Sequence, residues 1–179
     1  MCRLARRYKG IVMSKIRESL DTLNGMILEI QTGIAVIMDY ELSGAFEGNE
    51  TLKKGVYFLC LKSIMLNLAK FIEFHEKYGA FLNSTIPEHN DLRRIMVSEL
   101  LTKSVKEFRN KYLAHVRCLK SQKALSSEEI NNYIEKVVGG RDAIKFFEWL
   151  SPHNPSNIQN DSQFLSRVVI LREAIKKHL

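Results

Sequence analysis

A chain of 179 residues suffices for one domain with a core that needs no staples. Apolar residues make up 45% and charged residues 26%, ordinary for a soluble globular protein, and only three prolines and nine glycines interrupt it. A net charge of +7 favours polyanionic partners, nucleic acid before anionic membrane, while three cysteines without CxxC or metal-ligand spacing argue against a disulfide framework and for a reducing cytoplasm.

The N-terminus, MCRLARRYKGIVM, is basic but lacks the apolar core of a secretory signal. Residues 1–13 read as a flexible leader, with Met13 an alternative start, and residues 14–179 as the folded domain. The first helix is expected over about Ser14–Leu42, where Ile16, Leu20, Leu23, Ile27, Ile30, Ile34, Ile37 and Met38 recur at steps of three and four. Gly25 and Gly33 weaken it, and SGAFEGN ends it. A second helix is expected over about Thr51–Tyr78, apolar nearly all round and therefore central, stopping at Gly79. Its run GVYFLCLKSIMLNLAKFI carries Lys62 and Lys70 and is not expected to span a membrane.

Asn90 can cap a third helix, with Asp91 in its first turn and a stripe of Val97, Leu100, Leu101, Val105, Phe108 and Tyr112. Ser126 and Glu129 fit a capping box opening a fourth, which runs to Trp149 with a kink or break at Gly139-Gly140. The linker SPHNPSNIQN leads to a last helix over Ser162–His178, with Leu165, Val168, Val169, Leu171 and Ile175 facing inward. No strand is legible. The expected fold is all-α, a single bundle of about five long helices.

Chemistry concentrates at the end of the third helix, in FRNKYLAHVR. Val105, Arg109 and Tyr112 share one edge of the helix, and His115 continues that ridge. Six residues turn a helix through about 600°, so Arg109 and His115 lie roughly 120° apart with about 9 Å of rise. Either the helix distorts after Asn110, or a second copy of the motif faces the first across a two-fold axis. Histidine moves protons near neutral pH, and arginine grips a phosphate and the charge growing on its oxygens. Together they suit attack of a ribose 2′-hydroxyl on the adjacent phosphate without a metal. On spacing alone both are more often surface residues than catalysts, Tyr112 is a core residue with a wet hydroxyl, and Asn110 a loosened helix end.

The seven residues RNKYLAH resemble the R-x(4–6)-H motif of the HEPN superfamily (higher eukaryotes and prokaryotes nucleotide-binding domain), where a polar residue follows the arginine as Asn110 does. FLCLKSIMLNLAKFIEF is similar to the apolar second helix of such domains, especially the abortive-infection type, and the helical layout agrees over about residues 14–150. The resemblance implies a HEPN-like bundle acting as a cytoplasmic, metal-independent endoribonuclease, a homodimer with a composite site, and a toxin or anti-phage effector without a cofactor. Arg109 and His115 would then be catalytic and Asn110 supporting. Lys106, Lys111, Tyr112, Arg117 and Lys120 would track the backbone of an RNA such as tRNA or mRNA. An antitoxin protein is a further implied partner. After the histidine stands VR, not the xY of members silenced by a nucleotidyltransferase antitoxin, so that route is not implied.

EFHE (Glu73–Glu76) reads as a solvated face or, with help from another helix, a metal site. No glycine-rich phosphate loop occurs, and VVGGRD lacks a Walker lysine. The alternative to the nuclease is a non-catalytic helical module of the same shape that binds RNA or protein.

Overall fold

Two long helices frame the chain in a computed structural model that describes residues 2–113, 126–140, 143–151 and 162–179, by backbone alone at 2–9, 112, 113, 127 and 143. They are α1 (Cys2–Leu42) and α2 (Glu50–Thr85). Tyr57 donates to Glu41 at 2.6 Å, Asn67 to Glu29 at 2.8 Å and Tyr78 to Glu18 at 3.1 Å. Partners rise along α2 as they fall along α1, so the helices run antiparallel in one constant register. Gly33 marks their close approach: a Cβ there would stand 3.1 Å from Ile64 Cγ1 and 3.4 Å from the Cys60 carbonyl oxygen.

α1 does not begin at Ser14. Helix runs from Cys2, and Val12 and Met13 pack against the core. α2 also outruns its expected end. Gly79 is buried within it, Leu82 continues the apolar face, and the helix stops only before Pro87. The residue preceding a proline is pushed from the helical region, and Ile86 sits at φ −133°, ψ 61°. At the other end Asn49 Oδ1 accepts from Leu52 N at 3.0 Å, an N-cap that fixes the start.

By length and composition α2 holds a stretch able to cross a membrane, contrary to expectation. Here it forms the middle of the bundle. Ile64, Met65, Leu68, Phe71, Ile72 and Phe74 are buried, with Lys62 and Lys70 turned outward.

After a short 3-10 turn, Pro87–His89, come α3 (Asn90–Thr102), α4 (Val105–Phe108) and a π turn, Arg109–Leu113. Asn90 is not the cap of α3. It lies inside the helix, and its side-chain oxygen accepts instead from Arg93 Nη2 at 3.1 Å. α5 (Ser127–Val138) opens on the expected capping box: Ser126 Oγ accepts from Glu129 N at 3.2 Å, and Glu129 Oε2 from Ser126 N at 2.8 Å. It breaks at Gly139, whose φ of 88° suits glycine, before α6 (Ala143–Leu150). α7 (Phe164–Lys176) packs on α1, α3 and α6 through Phe164, Leu165, Val168, Leu171 and Ile175. The described residues contain no strand, and the all-α bundle is as expected; the long third and fourth helices are each divided, giving seven helices among the described residues.

Candidate functional site

The third helix does not carry one stripe through to the motif. Lys103 caps α3, and Ser104 takes a left-handed conformation, φ 58°, unfavourable for a residue with a Cβ. That break rotates the register: Leu101 is half exposed, whereas Met96 and Leu100 before it and Val105 and Phe108 after it are buried. α4 is therefore one turn, pinned by two apolar side chains, and its axis is set by Ser104 rather than by α3. Beyond Phe108 the backbone widens into the π turn, a local distortion that often sits at functional positions. It begins at Arg109, earlier than the distortion after Asn110 that the sequence allowed.

α2 runs beside this turn and supplies acids to it. Arg109 Nη2 is ion-paired with Glu73, and Arg109 Nη1 donates to Asn110 Oδ1 at 2.7 Å. Lys106 Nζ lies 2.5 Å from Glu76, one helical turn along. On the far side, Lys111 Nζ donates to Glu107 at 2.5 Å and to the Tyr133 hydroxyl at 2.6 Å. Tyr133, from α5, packs on Phe108 with ring centroids 5.9 Å apart, and Lys111 and Lys136 sit over its ring. The hydrogen bond and charge of Glu107, with the Tyr133 contact, raise the Lys111 pKa, and the Lys111 ammonium lowers that of Glu107. Lys111 is fully charged at any physiological pH.

Of the site residues read from sequence, Arg109, Asn110, Lys106 and Lys111 thus share one short segment. Tyr112 lies in the π turn by its backbone, and its side chain is outside the described residues. His115, Arg117 and Lys120 are outside them altogether. Sequence reasoning missed Glu73, Glu107 and Tyr133 as neighbours of the motif. Glu73 and Glu76, expected on a solvated face or in a metal site, are partly exposed and ion-paired with Arg109 and Lys106. No group of three or more His, Cys, Asp or Glu side chains that could hold a metal occurs among the described residues.

A second polar cluster lies between α2 and α3. Arg93 is buried, and its Nη2 donates to the amide oxygens of Asn83 and Asn90 at 2.5 and 3.1 Å. No carboxylate pairs with it among the described residues, and burial lowers its pKa. His75 beside it is held below the ordinary histidine range by burial and by the charges of Arg93 and Arg94. These contacts fasten the end of α2 to α3.

The architecture defines a class first: an all-α bundle built on an antiparallel helix pair. No family model and no curated protein matches the chain. Among solved structures it is similar to the integron cassette protein Vpc_cass2 from the mobile metagenome of V. paracholerae, with a TM-score of 0.76 and 27% identity over 91% of this chain and 96% of that one.

Proposed function

We propose that the chain is a HEPN-like, metal-independent endoribonuclease in which Arg109 clamps phosphate and His115 moves the proton. The observation that carries the reading is the setting of Arg109. It stands on a widened turn after a backbone break, its guanidinium engaged at both terminal nitrogens by Asn110 and Glu73, with Lys106 and Lys111 alongside. A guanidinium so tethered keeps donors to offer a phosphate, and lysines on either side suit the neighbouring phosphates of a chain.

In this mechanism His115 takes the proton from a ribose 2′-hydroxyl. The oxygen attacks the adjacent phosphorus, Arg109 stabilises the charge on the equatorial oxygens, and the P–O5′ bond breaks as the His115 imidazolium returns the proton to the 5′-oxygen. The products are a 2′,3′-cyclic phosphate and a 5′-hydroxyl. A two-fold pairing of two such motifs would bring a second Arg–His set across the cleft and complete a site that one helix edge leaves spread out. A role as a toxin or anti-phage effector, a tRNA or mRNA target, an antitoxin partner and a cytoplasmic location rest on the family resemblance alone.

The test is incubation of RNA with the protein in EDTA, wild type beside Arg109→Ala and His115→Ala. Cleavage that persists without metal and is lost in both variants is expected. Cleavage that needs a divalent ion, or survives His115→Ala, refutes the mechanism.

One observation favours the rival reading, a non-catalytic module that binds RNA or protein. Lys106, Arg109 and Lys111 each have a carboxylate partner, so this face carries compensated charge. An inert protein that still retains RNA at low salt would decide for it.

A further inference from the structure

Three carboxylates meet the motif, and two of them come from α2 one turn apart: Glu73 on Arg109 and Glu76 on Lys106. As ion pairs they are alike, both partly exposed, both linking α2 to the segment after Ser104. They differ in what they hold. Lys106 is a flexible ammonium on the one-turn helix, whose task in binding RNA needs charge but no fixed orientation. Arg109 carries a planar fork whose use depends on its angle to the phosphate.

We propose that Glu73 is a positioning residue for the Arg109 guanidinium, acting through Arg109 and not on RNA itself. The inference rests on the ribonuclease reading. Asn110 follows Arg109 directly and fixes Nη1 from within the π turn; Glu73 fixes Nη2 from the neighbouring helix. Two acceptors at the two terminal nitrogens leave a long, rotatable side chain with one plane and one direction. Neither acceptor uses all its donors: each terminal nitrogen carries a second hydrogen, and Nε a third, for a phosphate. α2 is the right element for this task, because its Phe71, Ile72 and Phe74 are buried on either side of Glu73. The carboxylate is thus anchored by the core, while Arg109 lies on the irregular turn that needs holding.

The purely structural alternative makes Glu73 a tie between helices, equivalent to Glu76. Steady-state cleavage of an RNA oligonucleotide by Glu73→Ala, Glu73→Gln and Glu76→Ala, with melting temperatures of all three, separates the two. Misaiming a group by about 1 Å costs on the order of a hundredfold. Glu73→Ala is therefore expected to lower kcat by about ten- to a hundredfold with KM within about threefold of wild type. Glu73→Gln, which keeps an acceptor for Nη2, is expected to recover part of that loss. Glu76→Ala is expected to leave kcat within about twofold while shifting the melting temperature as much as Glu73→Ala does.

Equal kcat values for Glu73→Ala and Glu76→Ala overturn the proposal. So does faster cleavage in Glu73→Ala, which would make the carboxylate a competitor of phosphate for Arg109. If Arg109→Ala cleaves as wild type does, the ribonuclease reading falls and Glu73 has nothing to position. If cleavage depends on Arg109 but not on Glu73, this inference alone fails.

Discussion

Removing Glu99 is expected to destabilise the bundle more than the loss of any exposed ion pair. Glu99, on α3, accepts from Arg167 of α7 at 2.8 and 2.5 Å, one guanidinium nitrogen to each carboxylate oxygen. Trp149 Nε1 donates to the same carboxylate at 3.3 Å, and Lys103 lies 4.7 Å from the Trp149 ring centroid. The Arg167 side chain is only 6% exposed and the Glu99 side chain 34%. Glu99→Ala leaves a buried guanidinium without its anion, a change that costs about 3–5 kcal/mol in buried pairs. The exposed edge of Glu99 admits water to the vacated space, which places the cost near the lower figure, about 3 kcal/mol. At about 2–4 °C per kcal/mol for a chain of this size, the melting temperature falls by about 6–12 °C. Urea unfolding measures the same quantity at constant temperature. Arg167→Met added to Glu99→Ala should regain much of the loss, since the stranded charge is then gone. A Glu99→Ala cost under about 1 kcal/mol, or a double variant no more stable than Glu99→Ala, refutes the reasoning. The pH dependence has a definite sign. Burial alone would raise the Glu99 pKa, but the hydrogen bond and charge of Arg167 outweigh it, and the net shift is below 4.5. A carboxylate depressed in the folded state contributes stability above its unfolded value and loses it as the pH falls through the folded one. Wild type should therefore lose stability from about pH 4.5 downward, and Glu99→Ala should lack that part of the acid dependence.

Two backbone predictions follow from the same geometry. Gly25 and Gly33 both lie inside α1, but a Cβ at Gly25 meets nothing within 4 Å, whereas one at Gly33 stands 3.1 Å from Ile64. Gly25→Ala should stabilise by about 0.4–1 kcal/mol, and Gly33→Ala should gain less than that or destabilise; scanning calorimetry showing equal gains would contradict the tight α1–α2 approach. Ser104→Gly should relieve about 1 kcal/mol of left-handed strain, and a destabilised variant by chemical unfolding would show that the side chain contributes more than its backbone costs.

Periodicity alone placed most of the core. Ile16, Leu20, Leu23, Ile27 and Ile30 were legible because a long amphipathic helix repeats its message many times, and one interior glycine does not blur it. The capping box at Ser126 and the break at Gly139 were legible because each needs few residues and has one local geometry. Helix ends fared worse. Gly79 looked like a stop, yet an interior glycine is tolerated where packing continues past it, and Leu82 and Ile86 are buried beyond it. The divided third helix had no local warning, since Ser104 is no glycine and Leu101, Val105 and Phe108 keep helical spacing across the break. Arg93 was invisible for the opposite reason: a polar residue spaced with Met96 and Leu100 on the buried face reads as solvent-facing until the amides of Asn83 and Asn90 are seen around it. Arg109 and Asn110 were legible as a pair, whereas the link to Glu73 joins residues 36 apart and is set by the helix packing.

The acids around the motif bear on both readings of its function, and the energetics favour exchange. Each of the three pairs is between one third and about half exposed at both partners, and pairs of that kind are worth about 0–1 kcal/mol. A phosphate approaching Lys106 or Lys111 therefore displaces a weakly held carboxylate, and a polyanion gains in addition from releasing its own counterions. On the proposed ribonuclease reading, compensated charge on this face would lower affinity for RNA without abolishing it, and the remaining binding would weaken steeply with added salt. The same arithmetic does not apply to Arg109 in full. Its carboxylate comes from a helix locked into the core and its second acceptor from the adjacent residue, so the side chain is held at two points while the lysines on either side can yield. A face that gives way at its edges and stays fixed at its centre can bind a phosphate chain loosely and still aim one guanidinium.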